Sequence, residues 1–259
     1  MAALLSKSPS DPAVLEKNIV YIEDVTVSFD GFKALDIKRF NVERNELRVM
    51  VGPNGAGKTT LCDVISGKTR VTSGSVFFDG VETTHMADVE IARRGVGRKF
   101  QTPTVFDSLT VYENMELALP GHRSLWGTLF AKTSAADEEA IYMLLDRVHL
   151  LDDLATPAKY LSHGQRQWLE ISMLMVAKPK LLLVDEPAAG LTDKETELTA
   201  DLLLELKGQH TIIVIEHDMD FVRRLNSRVT VLNEGKVLAD GTLDQVQVDP
   251  AVLEAYLGR

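Results

Sequence analysis

The segment best suited to chemistry is a glycine-rich run that reads Gly52-Pro53-Asn54-Gly55-Ala56-Gly57-Lys58-Thr59. It lies between an apolar segment, 47–51, and a helix predicted over 59–66, the context in which this spacing binds phosphate. The glycines let the backbone curl until its N–H groups face phosphate oxygens, and the helix N-terminus adds favourable dipole charge. Lys58 would neutralise the β- and γ-phosphates of a nucleotide, Thr59 would hold Mg²⁺, and Thr60 completes the nucleotide-binding set. The full spacing argues against the alternative, a glycine-rich turn without a ligand.

Two adjacent carboxylates, Asp185 and Glu186, follow the apolar run at 181–184. Consecutive strand residues point to opposite faces of a sheet, so the two side chains are expected to have different roles. Asp185 would reach the magnesium ion, while Glu186 would accept a proton from the water that attacks the γ-phosphate. For an isolated Asp-Glu pair, a helix cap or a solvated pair is the alternative. The upstream phosphate loop favours the catalytic interpretation.

A second candidate anion site lies in Leu161-Ser162-His163-Gly164-Gln165, before a helix predicted over 166–177. The Ser162 hydroxyl, the Gly164 backbone and the helix N-terminus can together bind a phosphate. One chain does not need two γ-phosphate sites for a single nucleotide. We therefore interpret this site as one that closes over ATP held by a partner's phosphate loop, with Gln165 in the nucleotide-binding set. The alternative is that Ser162 is only a helix N-cap.

These segments need a scaffold, and the sequence predicts one from short apolar strands, each followed by helical sequence. The strands are expected at 47–51, 181–184, 211–215 and 229–232, which indicates a mostly parallel sheet covered on both faces. Alternating residues over 18–40 and a hairpin arm at 75–80 predict a small antiparallel sheet beside it. Apolar residues at helical spacing over 137–150 predict an amphipathic helix, within an inserted helical lobe at about 101–161.

Composition limits the classes of function that the chain can have. With 259 residues, 45% of them hydrophobic, the chain can bury a substantial core, and its net charge of −10 argues against broad attraction to nucleic acid. The single cysteine, Cys62, excludes an internal disulfide and fits a cytoplasmic protein. No run of about 18 apolar residues is present, so no spanning helix is expected. We expect residues 1–17 to be a flexible tail and residues 18–259 to form the folded domain.

Taken together, these motifs resemble those of the ATP-binding-cassette (ABC) superfamily, in the family's order, from about residue 20 to the C-terminus. The set comprises the phosphate loop, Gln101 in Phe100-Gln101, the signature 161–165, the Asp185-Glu186 strand and His217 after the strand 211–216. The resemblance implies an ATPase with an α/β fold: a RecA-like P-loop NTPase core, an antiparallel β subdomain and an inserted α-helical subdomain. It also implies that Gln101 links Mg²⁺ and the lytic water to transmembrane subunits, and that His217 contacts the γ-phosphate.

Three positions show where the resemblance is informative or incomplete. Phe29 matches the family's aromatic residue that stacks on adenine; the alternative is a side chain packed within the small sheet. Thr192 replaces the Asp that many members carry in the loop that crosses the dimer interface, which puts the usual contact of that loop in doubt. His163 stands where the signature commonly has Gly, but Ser162 and Gly164 remain, so we expect phosphate contact to survive.

Finer details are similar to ATPases of the branched-chain amino-acid importer group, and the stretch 98–106, Arg-Lys-Phe-Gln-Thr-Pro-Thr-Val-Phe, most resembles its urea-transporter branch. The resemblance implies uptake of a solute, with urea expected and branched-chain amino acids as the alternative. The implied partners are transmembrane permease subunits, a second ATP-binding subunit and, indirectly, a periplasmic solute-binding protein. A heterodimer of ATPases is expected in the transporter, with a homodimer possible for the isolated chain, on the cytoplasmic face of a bacterial plasma membrane.

Other classes that share these motifs are less compatible with the chain. ABC ATPases of DNA repair insert long heptad helices between the phosphate loop and the signature, and this interval holds only about a hundred residues without sustained heptads. A regulatory nucleotide sensor remains an alternative, against which the intact carboxylates and signature argue. Within the insertion 120–134, an apolar cluster around Trp126 suggests a docking site for a membrane subunit, with packing onto the helical lobe as the alternative.

Overall fold

The computed structural model describes residues 12–99, 105–120 and 133–257. The strands are β1 (Asn18–Phe29), β2 (Phe32–Glu43), β3 (Leu47–Val51), β4 (Ser73–Phe78), β5 (Val81–Glu82), β6 (Val96–Lys99), β7 (Leu181–Asp185), β8 (Thr211–Ile215), β9 (Arg228–Asn233) and β10 (Lys236–Gly241). The helices are α1 (Pro12–Lys17), α2 (Lys58–Ile65), α3 (Asp88–Arg93), α4 (Val111–Ala118), α5 (Ala135–Arg147), α6 (His163–Val176), α7 (Asp193–Leu206), α8 (Met219–Leu225), α9 (Leu243–Gln247) and α10 (Pro250–Leu257). None of these helices is long and apolar enough to cross a bilayer.

The main sheet has the strand order β10-β9-β3-β8-β7-β6, and all its pairs are parallel except β10 with β9. The predicted parallel sheet is therefore confirmed, and β3 lies between β8 and β9. Because the carboxyl ends of parallel strands share one edge, the phosphate loop after β3 lies on the same side as the residues that follow β7 and β8.

Side chains of the main sheet alternate between two apolar layers, as the two-residue period of a strand requires. Val49, Leu182 and Ile212 face a core that includes buried residues of α6, α7 and α8. Met50 and Ile213 face the opposite core, which contains α2 and the smaller sheet. Both faces are covered, which explains why the central strands read as continuous apolar runs.

The smaller sheet is antiparallel, with the order β2-β1-β4-β5, as predicted. Asp79, in the turn between β4 and β5, forms ion pairs with Arg44 at 2.6 Å and with Lys180 at 2.5 Å. Lys180 immediately precedes β7 of the main sheet. This carboxylate therefore links the two sheets at the end opposite the phosphate loop.

Helices α4, α5 and α6 pack against one another. The predicted amphipathic helix is α5, which buries Ile141 and Leu145. The proposed lobe at about 101–161 begins within residues 100–104, which lie outside the described residues, as do Gln101 and the Trp126 cluster in 121–132. Residues 12–17, assigned to the flexible tail, form α1 instead, because Asn18 donates a hydrogen bond to the Val14 carbonyl and Arg44 to the Glu16 carbonyl.

Candidate functional site

The phosphate loop connects the buried strand β3 to α2, which begins at Lys58, one residue earlier than predicted. Gly57 caps this helix with φ 99°, in the left-handed region that favours glycine. A Cβ atom at Gly57 would lie 2.7 Å from Leu35 Cδ2 and 3.0 Å from the Ala34 carbonyl oxygen. Conformation and space therefore both require glycine here, and the helix start remains open for an anion.

Lys58 is half-buried at the first position of α2. Its Nζ donates hydrogen bonds to the Gly52 carbonyl at 2.7 Å and to the Pro53 carbonyl at 3.1 Å, so the ammonium group lies inside the curl of the loop. Burial lowers the pKa of Lys58, and the charges of Glu186 and Asp185 oppose that shift. The two carboxylates therefore act electrostatically on the Lys58 ammonium group.

Gly235, in the turn between β9 and β10, joins the phosphate loop to the smaller sheet. Its N–H donates to the Ala56 carbonyl at 3.0 Å, and its own carbonyl accepts from the Asp36 N–H at 2.8 Å. A Cβ atom at Gly235 would lie 2.5 Å from the Ala34 carbonyl oxygen, so only glycine permits this approach. One backbone position thus fixes β2 relative to the loop.

Phe29 lies at the end of the β1–β2 hairpin, where it pairs with Phe32. The two residues are 50% and 70% exposed, so the alternative in which Phe29 packs within the sheet is wrong. An exposed aromatic face is available to stack on a planar ring. Stacking on adenine stays a prediction.

Asp185 and Glu186 differ in environment, as expected for neighbours at a strand end. Asp185 is buried, and its Oδ1 has no hydrogen-bond partner. Burial raises the pKa of Asp185, and the charge of Glu186 adds to this shift. The positive charges of Arg98, Lys99 and Lys58 oppose it. The Glu186 side chain is 34% exposed, and its backbone adopts φ 48°, which is uncommon for a residue with a side chain. The Glu186 N–H donates to the Ile215 carbonyl at 3.0 Å, which holds this conformation against β8.

His217 follows β8 and is brought beside the carboxylate pair. Its Nδ1 lies 3.7 Å from Glu186 Oε1, and its side chain is 67% exposed. Contact of His217 with the γ-phosphate stays a prediction. Buried Glu216 organises this corner because its carboxylate accepts hydrogen bonds from the backbone N–H groups of Ala188, His217 and Asp218. Sequence reasoning missed Glu216, although a charged residue directly after a buried strand is a detectable signal.

The residues present fit a magnesium ion that also takes ligands from a nucleotide. Asp185 offers a buried oxygen without a partner, and Thr59 is exposed in the first turn of α2. Within the described ranges, no group of three or more His, Cys, Asp or Glu residues could hold a metal by itself. Mg²⁺ bound through one or two carboxylates and phosphate oxygens agrees with that composition. Gln101, the third predicted ligand, lies outside the described residues.

The signature begins α6, which starts at His163, three residues before the predicted start. Ser162 is the N-cap: its Oγ accepts the Gln165 N–H at 3.2 Å, and Gln165 Oε1 accepts the Ser162 N–H at 2.9 Å. The Gln165 amide also donates to Asp153 at 3.0 Å, so this side chain supports the helix start within its own chain. The N-cap interpretation of Ser162 is confirmed, and its phosphate contact stays a prediction.

Both departures from the family pattern have structural roles. His163 Nε2 donates to the Ala189 carbonyl at 3.2 Å, which joins the signature to the loop after Glu186. Thr192 is the N-cap of α7, where its Oγ1 accepts from the Glu195 N–H and donates to the Glu195 carboxylate at 2.8 Å. Among the described residues, no hydrogen bond or ion pair joins the signature to the phosphate loop of the same chain.

A cavity of about 330 Å³ separates α6 from the end of β7, lined by His163, Gln167, Glu170, Lys99, Asp185, Glu186 and Ala189. Lys99 and Glu170 form a buried ion pair within it. Gln167 donates to the Pro187 carbonyl across the same gap. Sequence reasoning missed these residues because the contacts join segments far apart in the chain.

Comparisons with known proteins agree with this geometry. Residues 35–189 match the family described as ABC transporter, and residues 236–259 match the family described as branched-chain amino acid ATP-binding cassette transporter. The chain is 36% identical over 255 residues to the high-affinity branched-chain amino acid transport ATP-binding protein BraF of Pseudomonas aeruginosa, covering 94% of this chain and 99% of BraF.

Two solved structures extend the comparison to three dimensions. An ATP-binding cassette of an ABC transporter in its ADP conformation is 30% identical, with a TM-score of 0.80 and coverage of 93% and 99%. A dimeric cassette in a post-hydrolysis state, bound to ADP and phosphate, is 26% identical, with a TM-score of 0.71 and coverage of 86% and 98%.

Proposed function

Because this chain belongs to the ABC transporter family and is a transport ATPase, we propose that it powers the uptake of branched-chain amino acids as one of two ATPase subunits. The observation that carries the two-subunit part is that, within the described ranges, no hydrogen bond or ion pair joins the signature to the phosphate loop of the same chain. Lys58, Asp185, Glu186 and His217 meet at one edge of the sheet, whereas Ser162 and Gly164 contact α7. A second chain supplies the signature that this phosphate loop lacks.

In the proposed reaction, the chain's own residues prepare water for attack on the γ-phosphate. Glu186 accepts a proton from the water as its oxygen bonds to phosphorus, and the bond to the β-phosphate oxygen breaks to release ADP and phosphate. Lys58 neutralises charge that develops on the phosphate oxygens, and His217 orients the γ-phosphate beside Glu186. Mg²⁺, held by Thr59, Asp185 and Gln101, would supply further charge neutralisation when bound.

The two subunits would hold ATP between the phosphate loop of one and the signature of the other. Closure on ATP would drive the permease subunits, and hydrolysis would reset the pair. The dimeric cassette among the similar structures supports this arrangement. A different ATPase as companion, a periplasmic binding protein as solute donor, and a position at the cytoplasmic face of the membrane belong to the same proposal.

The solute class rests on the relatives, since solute contact in such systems lies in other subunits. The BraF match and the C-terminal match at 236–259 support branched-chain amino acids over urea, which the stretch 98–106 suggested. Urea is therefore the second candidate, and the residues that favour it lie partly outside the described ranges.

The test is solute-stimulated ATP hydrolysis in vesicles that contain this chain, its companion ATPase, the permease subunits and the binding protein. We expect leucine to stimulate hydrolysis and urea to have no effect, with Lys58→Ala abolishing the signal as a control. Stimulation by urea alone would reassign the solute and keep the importer function. No response to either solute would overturn the importer proposal.

A further inference from the structure

The carboxylate of Glu195 lies against the signature. Glu195 is the third residue of α7, and its Oε2 accepts hydrogen bonds from the Thr192 N–H at 3.0 Å and from the Thr192 hydroxyl at 2.8 Å. The bond from the Thr192 N–H and the reciprocal bond from the Glu195 N–H to Thr192 Oγ1 form the capping box of α7. The other carboxylate oxygen, Oε1, is left to face α6, where it accepts the Ser162 hydroxyl at 3.4 Å.

A second contact shows how closely this carboxylate approaches the signature. A Cβ atom at Gly164 would lie 2.4 Å from Glu195 Oε1 and 2.6 Å from Glu195 Cδ. The absence of a side chain at Gly164 therefore admits the carboxylate to the backbone of the first turn of α6. Ser162 and Gly164 are the two residues that form the second anion site, so an anionic group of the same chain lies at that site.

Glu195 carries its charge at neutral pH. Hydrogen bonds from the Thr192 backbone and hydroxyl hold the pKa of Glu195 below its ordinary range, and the Ser162 hydroxyl adds to the effect. A negative charge beside Ser162 repels another negative group that approaches the same hydroxyl. The group that approaches in the proposed dimer is the γ-phosphate of ATP held by the partner.

We propose that Glu195 is a resident anion that competes with the partner's γ-phosphate for the Ser162 hydroxyl, and so raises the ATP concentration needed for closure. This inference rests on the proposed two-subunit site. Before closure, the Ser162 Oγ–H points to Glu195; on closure it turns to the phosphate, and Glu195 keeps its bonds to Thr192. Glu195 is thus a positioning residue that acts through Ser162 and sets the ATP concentration at which the dimer closes.

The variant that tests this is Glu195→Gln, because glutamine at the third helical position preserves a capping box while removing the charge. The matched control is Glu113→Gln, since Glu113 holds the same position in the Thr110 capping box of α4. Both are made in the Glu186→Gln background, which is meant to bind ATP without turnover, and dimer formation is followed by sedimentation against ATP concentration.

We expect Glu195→Gln to lower the ATP concentration at half-dimerisation by roughly threefold to tenfold, the size of one charge contact near a protein surface. Glu113→Gln should leave it unchanged. In the assembled transporter with intact Glu186, the Glu195 variant should lower the KM for ATP by a similar factor and change kcat less, a split that a purely structural role would not give.

An unchanged or higher ATP requirement in Glu195→Gln, with melting temperature and the parent dimer preserved, would overturn this inference alone. A lower requirement in Glu113→Gln as well would also overturn it, because the effect would then be one of net charge. If the Glu186→Gln parent formed no ATP-dependent dimer and the transporter showed no change in KM, the two-subunit proposal and this inference would both fall.

Discussion

Lys99 and Glu170 form an ion pair, 3.7 Å from Nζ to Oε2, in which the side chains are only 6% and 1% exposed. Lys99 is the last residue of β6, and Glu170 lies in the middle of α6, so the pair joins the edge of the sheet to the helix that carries the signature. Burial lowers the pKa of Lys99, and Glu170, Asp185 and Glu186 oppose that shift. The pair therefore contributes to the field at the carboxylates as well as to packing.

Removing one partner of this pair should destabilise the fold strongly. Lys99→Met or Glu170→Met removes one member of the ion pair and leaves the other charge buried, and we expect a loss of about 3–5 kcal/mol in the free energy of unfolding. The double variant Lys99→Met/Glu170→Met should recover most of that loss because it buries no charge. Urea denaturation of the four proteins measures the coupling. Additive losses in the double variant would show that the two residues act independently.

Glu186→Gln should abolish steady-state ATP hydrolysis while ATP binding is kept. A general base contributes about 10²- to 10⁴-fold, so a loss of at least the lower figure is expected. Nucleotide affinity and turnover are measured on the same preparation, with Glu205→Gln, an exposed acid on α7, as the control. Normal turnover in the Glu186 variant would assign the base to another group.

Gly57→Ala should destabilise the phosphate loop more than Gly55→Ala. Both glycines have positive φ, 99° and 79°, but a Cβ atom meets Leu35 and Ala34 only at Gly57, whereas nothing lies within 4 Å at Gly55. We expect about 1 kcal/mol from conformation at each position and a further loss from the clash at Gly57. Thermal unfolding ranks the two variants, and equal losses would mean that the loop relaxes around the added methyl group.

Cys62 should resist thiol reagents until the protein unfolds. Its side chain is buried on α2, and burial raises the pKa of the thiol to about 12, so almost no thiolate exists at pH 8. Because the chain has a single cysteine, the labelling rate reports opening of this core directly. The thiol of the protein unfolded in denaturant should react as soon as the reagent is mixed in, whereas the thiol of the native protein should react slowly. Rapid labelling of the native protein would show that α2 opens locally.

Asp79 should make stability depend on pH in the acid range. Hydrogen bonds from Lys180 and Arg44 lower its pKa from the ordinary 3.8, so the folded state binds this proton less readily than the unfolded state. The contribution is then complete above pH 3.8 and disappears as pH falls through the lower folded pKa. Asp79→Asn should flatten the curve of unfolding free energy against pH in that window. The exposed Asp193→Asn is the control, and identical curves would contradict the assignment.

Much of the core could be predicted from the sequence because its strands are buried on both faces. β3 and β8 were placed with their observed bounds, since each is a short apolar run followed by helical sequence. β6 was missed because, within Val96–Lys99, only Val96 is apolar, and β10 because its residues at 236–241 alternate weakly. An edge strand is defined by the neighbour with which it pairs, and sequence pattern carries little of that information.

The residues of the candidate site also fall into two groups, those that the sequence predicted and those that it did not. Lys58, Asp185 and Glu186 were found because motif spacing places them at the carboxyl edge of one sheet, and His217 was found through the resemblance to the ABC family. Glu170 and Glu195 were not predicted, because each contacts a partner that is distant in the sequence. Lys99 is 71 residues before Glu170, and Ser162 is 33 residues before Glu195. Thr192 and Glu195 do form a T-x-x-E capping signature, so a local signal existed for one of these contacts.

The backbone of Gly235 sets the distance between the phosphate loop and β2, the strand that pairs with the Phe29 strand. Its two hydrogen bonds, to Ala56 and Asp36, hold the phosphate loop and β2 at one separation. In the proposed binding mode, Phe29 contacts the ring of the nucleotide and Lys58 contacts its phosphates. The backbone bonds of Gly235 therefore set the distance between these two contacts. A ligand must match that distance between its ring and its terminal phosphate, and shorter or longer phosphate esters would make only one of the two contacts. Because the protein already holds the two contact points in place, it loses little conformational entropy on binding.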